Sequence, residues 1–128
     1  MKPENKFKAK IIKNLSANTF AIETYLKFGL PDIYGFYKNS SFWLEFKCSK
    51  MKKVNISPLQ ISWNYKHFQE NPINFYIVES LEQRSFKLFS GNQGKDLLKV
   101  GYDLEPCIME LEPRNEDYKK LDNFLKSL

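Results

Sequence analysis

The sequence predicts one α/β domain in which a small mixed sheet is sandwiched between helices, and three observations carry that prediction. Apolar residues recur at helical spacing in some stretches and alternate in others, in the order helix, strands, helix, strands, helix. Gly29-Leu30-Pro31 and Asn71-Pro72 mark breaks between those stretches. At 128 residues and 42% hydrophobic, the chain suits one core spanning residues 1–128, with no repeat, low-complexity tract or linker.

Each element follows from local chemistry. Residues 3–15 carry Phe7, Ile11, Ile12 and Leu15 at helical spacing, with Lys6, Lys10 and Lys13 on other faces, and residues 14–18 supply a stop. Residues 19–25 are β-prone, and 32–37 with 42–48 read as a hairpin around a Lys38-Asn39-Ser40-Ser41 turn. Ser57 offers an N-cap hydroxyl and Pro58 a first helical residue, so a helix is expected to run to about residue 70. Gln60, Trp63, Asn64 and His67 then share one face, where Trp63 is expected to pack into the core. Residues 73–80 and 84–89 read as two more strands, and 94–99 as a short helix. Pro106, with Pro113 just beyond, argues against a central strand over 104–112. Residues 115–128 form a terminal amphipathic helix with Tyr118, Leu121, Phe124 and Leu125 on its apolar side.

Composition excludes several function classes. No apolar run approaches the roughly 18 residues of a membrane span, and the lysine-dotted start lacks a secretory apolar core, so a cytoplasmic location is expected. Cys48 and Cys107 stand far apart without CxxC or Cys/His spacing, which argues for reduced thiols rather than a disulfide or a zinc site. One histidine, no GxSxG and no Gly-rich phosphate loop leave no basis for a Ser/His/Asp nucleophile or for ATP chemistry. The net charge of +5 divides unevenly: residues 1–66 carry 12 lysines against 4 acids, +8, and residues 67–128 carry 8 basic against 11 acidic residues, −3. A basic half attracts a polyanion, although solvated surface lysines produce the same count.

The acids of the basic half have a suggestive placement. A turn centred between Asn39 and Ser40 pairs positions whose numbers sum to 79, setting Asp32 opposite Lys47 and Tyr34 opposite Glu45. Alternation puts Phe42, Leu44, Phe46 and Cys48 on one face and Trp43, Glu45 and Lys47 on the other, with Asp32 on the Glu45 side as its diagonal neighbour. Two converging carboxylates repel unless a cation shares their space, and an all-oxygen site suits Mg²⁺ or Mn²⁺. The same periodicity also allows an exposed face with an Asp32–Lys47 ion pair and a solvated Glu45.

The wording of the segment adds to this. Pro31-Asp32 followed by Glu45-Phe46-Lys47 resembles the PD-(D/E)XK nuclease signature. Gly29-Leu-Pro-Asp-Ile and Trp43-Leu-Glu-Phe-Lys are similar to the VRR-NUC and Holliday-junction-resolvase branches, including small phage endonucleases, and Ser57-Pro58-Leu59-Gln60 with Trp63 extends the match over about residues 19–78. The resemblance implies a restriction-endonuclease-like core, a central mixed β-sheet flanked by helices. It implies metal ligation by Asp32, Glu45 and the backbone carbonyl of Phe46, with Lys47 positioning the attacking water or stabilising charge on phosphate, and Gln60 orienting groups at the edge. A further acid is usual in such proteins; Glu23 is the choice, with Glu4 on the first helix as competitor. DNA, branched or otherwise non-duplex, is the implied substrate and a homodimer the implied assembly.

Lys50, Lys52 and Lys53 after the second hairpin strand, and Lys10 and Lys13 on the first helix, are the expected phosphodiester contacts. The rival reading is a non-catalytic nucleic-acid-binding module that keeps the fold. For it the basic half matters and the acid pair does not.

Overall fold

The computed structural model describes residues 2–22 and 28–128. Among the described residues four helices and six strands follow as α1 (Pro3–Lys13), β1 (Asn18–Ala21), β2 (Ile33–Phe36), β3 (Ser41–Cys48), α2 (Pro58–Glu70), β4 (Asn74–Ser80), β5 (Ser85–Ser90), α3 (Gly94–Val100), β6 (Met109–Leu111) and α4 (Asn115–Lys126), a 3-10 turn at Gly91–Gln93 leading into α3. The strands form one sheet in chain order. All neighbours are antiparallel except β3 and β4, which run parallel because α2 carries the chain back across the sheet between them. The sheet is therefore mixed and flanked by helices on both faces.

Alternation along β3 sorts its side chains. Phe42, Leu44 and Phe46 join Phe7 and Ile11 of α1 and Tyr118, Leu121 and Leu125 of α4 in the larger core. Burying each such ring or branched chain contributes roughly 1.5–3 kcal/mol, and Phe7 sets its ring edge-on to Phe46 at 5.7 Å. On the opposite face Tyr76, Val78 and Phe89 pack with Leu97 of α3 and with Val54, Ile56, Tyr102 and Leu104. There α2 seats a polar seam, Asn74 Nδ2 donating to the Asn64 carbonyl at 2.8 Å. Strand β6 is three residues long and lies at the sheet edge, where Pro106 and Pro113 on either side interrupt no central ladder.

The hairpin register differs from expectation. Ile33 pairs with Leu44, Tyr34 with Trp43 and Gly35 with Phe42, so partners sum to 77. Three contacts fix the observed register. The Phe42 ring lies over Gly35, where any Cβ would stand 2.2 Å from it. The turn itself is tied to α4: Tyr37 Oη donates to Asp122 Oδ1 at 2.5 Å, and Ser40 Oγ donates to the Lys126 carbonyl at 3.0 Å. A shift of two positions preserves the faces but moves Asp32 from opposite Lys47 to opposite Glu45.

The strand expected over 19–25 begins at Asn18 and is described to Ala21, with Ile22 N–H still donating to the Asp32 carbonyl at 2.8 Å. Glu23 lies outside the described residues. None of the described helices is long and apolar enough to cross a membrane.

Candidate active site

The corrected register explains the Pro-Asp pair physically. Continued one position beyond Ile33–Leu44, it brings Asp32 to Glu45 and then Pro31 to Phe46. Proline has no N–H to donate, so Pro31 cannot close the rung with the Phe46 carbonyl. The Phe46 N–H instead donates to Asp32 Oδ2 at 2.8 Å, fixing that carboxylate against the strand. Within one extended residue N–H and C=O leave by the same strand edge, so the Phe46 carbonyl faces the edge where Asp32 sits. The sequence thereby gathers two carboxylates and a backbone oxygen at the point where the β2–β3 ladder stops.

Glu45 is 1% exposed. Its Oε2 accepts from Gln60 Nε2 at 3.1 Å and lies 3.6 Å from Lys47 Nζ. Its Oε1 is buried and finds no donor among the described residues; the carboxyl meets that of Asp32, and two such groups can pair only through a shared proton or a shared cation. Burial first, and the neighbouring Asp32 charge second, push the Glu45 carboxyl up to about 8, although Lys47 pulls the other way. A buried carboxylate in this position must acquire either a proton or a cation.

Gln60 is held by its own helix. Ser57 Oγ accepts from Gln60 N–H at 3.2 Å and Gln60 Oε1 accepts from Ser57 N–H at 3.1 Å, a reciprocal cap at the start of α2. The same Oε1 accepts from Lys47 Nζ at 3.1 Å. One capping side chain thus bridges Lys47 and Glu45. Gly29 brings α2 close enough for this: its φ is +83°, and a Cβ there would stand 2.1 Å from the Leu59 carbonyl oxygen. A cleft of about 310 Å³, lined in part by Phe28, Asp32, Ser57 and Gln60, opens beside these groups.

Glu4 enters from the first turn of α1. Burial raises its carboxyl, Lys47 opposes that rise, and the Asp32 charge adds to it, so Glu4 shares the electrostatic environment of the pair. Periodicity alone could not bring the start of α1 to the end of β3; the Phe7–Phe46 contact in the core does so. Among the described residues no three His, Cys, Asp or Glu side chains form a metal cluster. The oxygen set is two carboxylates and one backbone carbonyl, which fits a hard dication that keeps several waters.

The expected phosphate contacts are divided. Lys50 and Lys53 exchange backbone hydrogen bonds at 2.9 Å in an exposed turn just after β3. Lys52 in that turn is paired with Asp103 at 2.6 Å. Lys10 and Lys13 stand in the last turn of α1, in the layer on the other face of the sheet from Glu45, and do not join the site. Trp63 is half-buried, stacked on His67 at 4.8 Å and edge-on to Trp43 at 5.3 Å. Cys48 is tucked beside Glu79, and burial pushes its thiol up to about 12, so it is no nucleophile. Comparison of the chain with protein-family models, curated proteins and solved structures finds no match.

Proposed function

We propose that this chain is a divalent-metal-dependent endodeoxyribonuclease of PD-(D/E)XK type, with a restriction-endonuclease-like core, cutting branched or otherwise non-duplex DNA, and that it works as a homodimer. The observation that carries the reading is the buried Glu45 carboxyl, whose Oε1 has no donor among the described residues and which meets Asp32 beside Lys47 and Gln60. A purely structural carboxylate at 1% exposure would have its oxygens satisfied by donors.

Asp32, Glu45 and the Phe46 carbonyl would hold Mg²⁺ or Mn²⁺, with Glu23 or Glu4 as the additional acid; Glu4 is the one whose carboxyl feels the charges of Asp32 and Lys47 in the described residues. Bound there, the ion would acidify a water and offset charge on the phosphate oxygens. Gln60 holds Lys47 Nζ close to Glu45, where it can reach a phosphate oxygen and stabilise the charge that builds there. Asp32 is held against the strand by the Phe46 N–H, which reduces the freedom it would lose on serving as a ligand.

The test is cleavage of supercoiled plasmid and of a four-way junction with Mg²⁺ or Mn²⁺, comparing the native chain with Glu45→Ala and Lys47→Ala. The native chain is expected to cut and each variant to lose about 100-fold or more, in the range of removing one transition-state contact. DNA binding without cleavage of any substrate in either metal would instead establish the non-catalytic module.

A further inference from the structure

The carboxylate row is followed, one pleat along the sheet, by a row of rings. Phe20, Tyr34 and Trp43 are cross-strand neighbours on β1, β2 and β3, on the face that Asp32 and Glu45 share. Phe36 continues β2 beyond Tyr34 and stacks on Phe20 at 5.9 Å with planes 12° apart. Tyr34 lies 5.0 Å from Trp43 and 6.3 Å from Phe36. At one end of this face α2 covers the sheet and Trp63 packs against Trp43. At the other, Phe20 and Phe36 are 55% and 37% exposed.

Two phenylalanine rings stacked on each other and open to solvent beside an acidic pocket form an apolar patch of the kind that marks an interaction site. Resting on the nuclease reading of the adjacent site, we propose that Phe20, Tyr34 and Phe36 form a stacking platform for unpaired bases, so that the strand delivered to Asp32 and Glu45 is single-stranded. Three arguments select this occupant. The exposed groups are rings, which offer every base a π-face and need no sequence. Successive same-face residues of a strand stand about 7 Å apart, twice the roughly 3.4 Å of axial rise per nucleotide that separates stacked bases in a duplex. Bases stacked in a duplex cannot follow that step, whereas splayed ones can. Charge completes the match: exposed Lys38 lies two residues beyond Phe36, and Lys47 stands at the carboxylate end.

Binding is measured in EDTA, so no cleavage is required, by fluorescence anisotropy on a 12-nucleotide single strand containing 2-aminopurine and on its blunt duplex. The Phe20→Leu/Phe36→Leu double variant keeps apolar bulk and removes the rings; its thermal melt is recorded beside it. The single strand is expected to bind about ten-fold or more weaker than to the native chain, with duplex affinity changed less than about two-fold and Phe20→Trp/Phe36→Trp restoring the native value. Unchanged single-strand affinity, or none in the native chain, overturns the platform even if plasmid is cut. A native dimer that the leucine variant splits, seen by sedimentation, overturns it too and assigns the face to contact between copies. Loss of single-strand affinity in a chain that cuts nothing leaves the platform standing and removes the nuclease.

Discussion

At the scale of the residue, Glu45 decides most. Its carboxyl titrates near 8 in the folded chain against 4.5 when free, so the native state binds more protons than the unfolded state between those values. Stability contributed this way is fully present below pH 4.5 and lost as pH rises through 8. Without metal, the native chain is therefore expected to melt lower at pH 8.5 than at pH 5.5 relative to Glu45→Gln, which carries no charge to desolvate. The difference between the two chains should reach about 5 °C or more, since about 1 kcal/mol moves the midpoint of a domain this size by several degrees. Thermal melts of both proteins across that range provide the check, and parallel curves would remove the buried charge from the account. The sequence contained Glu45, Asp32 and Lys47 as a spacing. Glu45's desolvation could not be read there, because it depends on Gln60 and Tyr76 closing over the strand.

At the scale of the element, local chemistry was readable and long-range register was not. Ser57-Pro58 announced α2 to the residue, because an N-cap hydroxyl and a proline at the first helical position act through neighbours only. The hairpin faces were readable from alternation, and a slip of two positions left them intact. The slip itself was hidden, since it is set by Phe42 lying over Gly35 and by α4 holding Tyr37 and Ser40 some 85 residues away in sequence. Ser57-x-x-Gln60 was visible as a motif, but its second use, joining Lys47 to Glu45, needed the parallel return of β4 to place α2 over β3. The contact between Gly29 and the first turn of α2 sets that placement. Gly29→Ala would force a side chain into a left-handed φ and into the Leu59 carbonyl, at a cost of about 2 kcal/mol or more. Urea denaturation should register that loss, and Gly29→Ala should lose cleavage beyond what stability explains because Gln60 shifts with its helix.

At the scale of the whole molecule, charge and layers disagree about which lysines matter. The basic half supplies α1 as well as the turn after β3, and composition treats the two alike. The fold separates them, placing α1 on the face opposite Glu45 and the Lys50–Lys53 turn at the end of the strand that carries it. Lys52 is further discounted by its pairing with Asp103. Each lysine that neutralises a phosphate releases counterions, so the slope of log affinity against log salt counts the contacts, at about 0.9 per contact for duplex and 0.7 for single strands. Lys50→Gln/Lys53→Gln is therefore expected to flatten the slope for DNA by about 1.5, while Lys10→Gln/Lys13→Gln leaves it within about 0.3 of the native value. Binding titrations from low to moderate salt with all three proteins measure both slopes. If the α1 pair flattens the slope and the turn pair does not, DNA lies across the opposite face, out of reach of Asp32 and Glu45, and the acid pair is a structural feature of a protein that only binds.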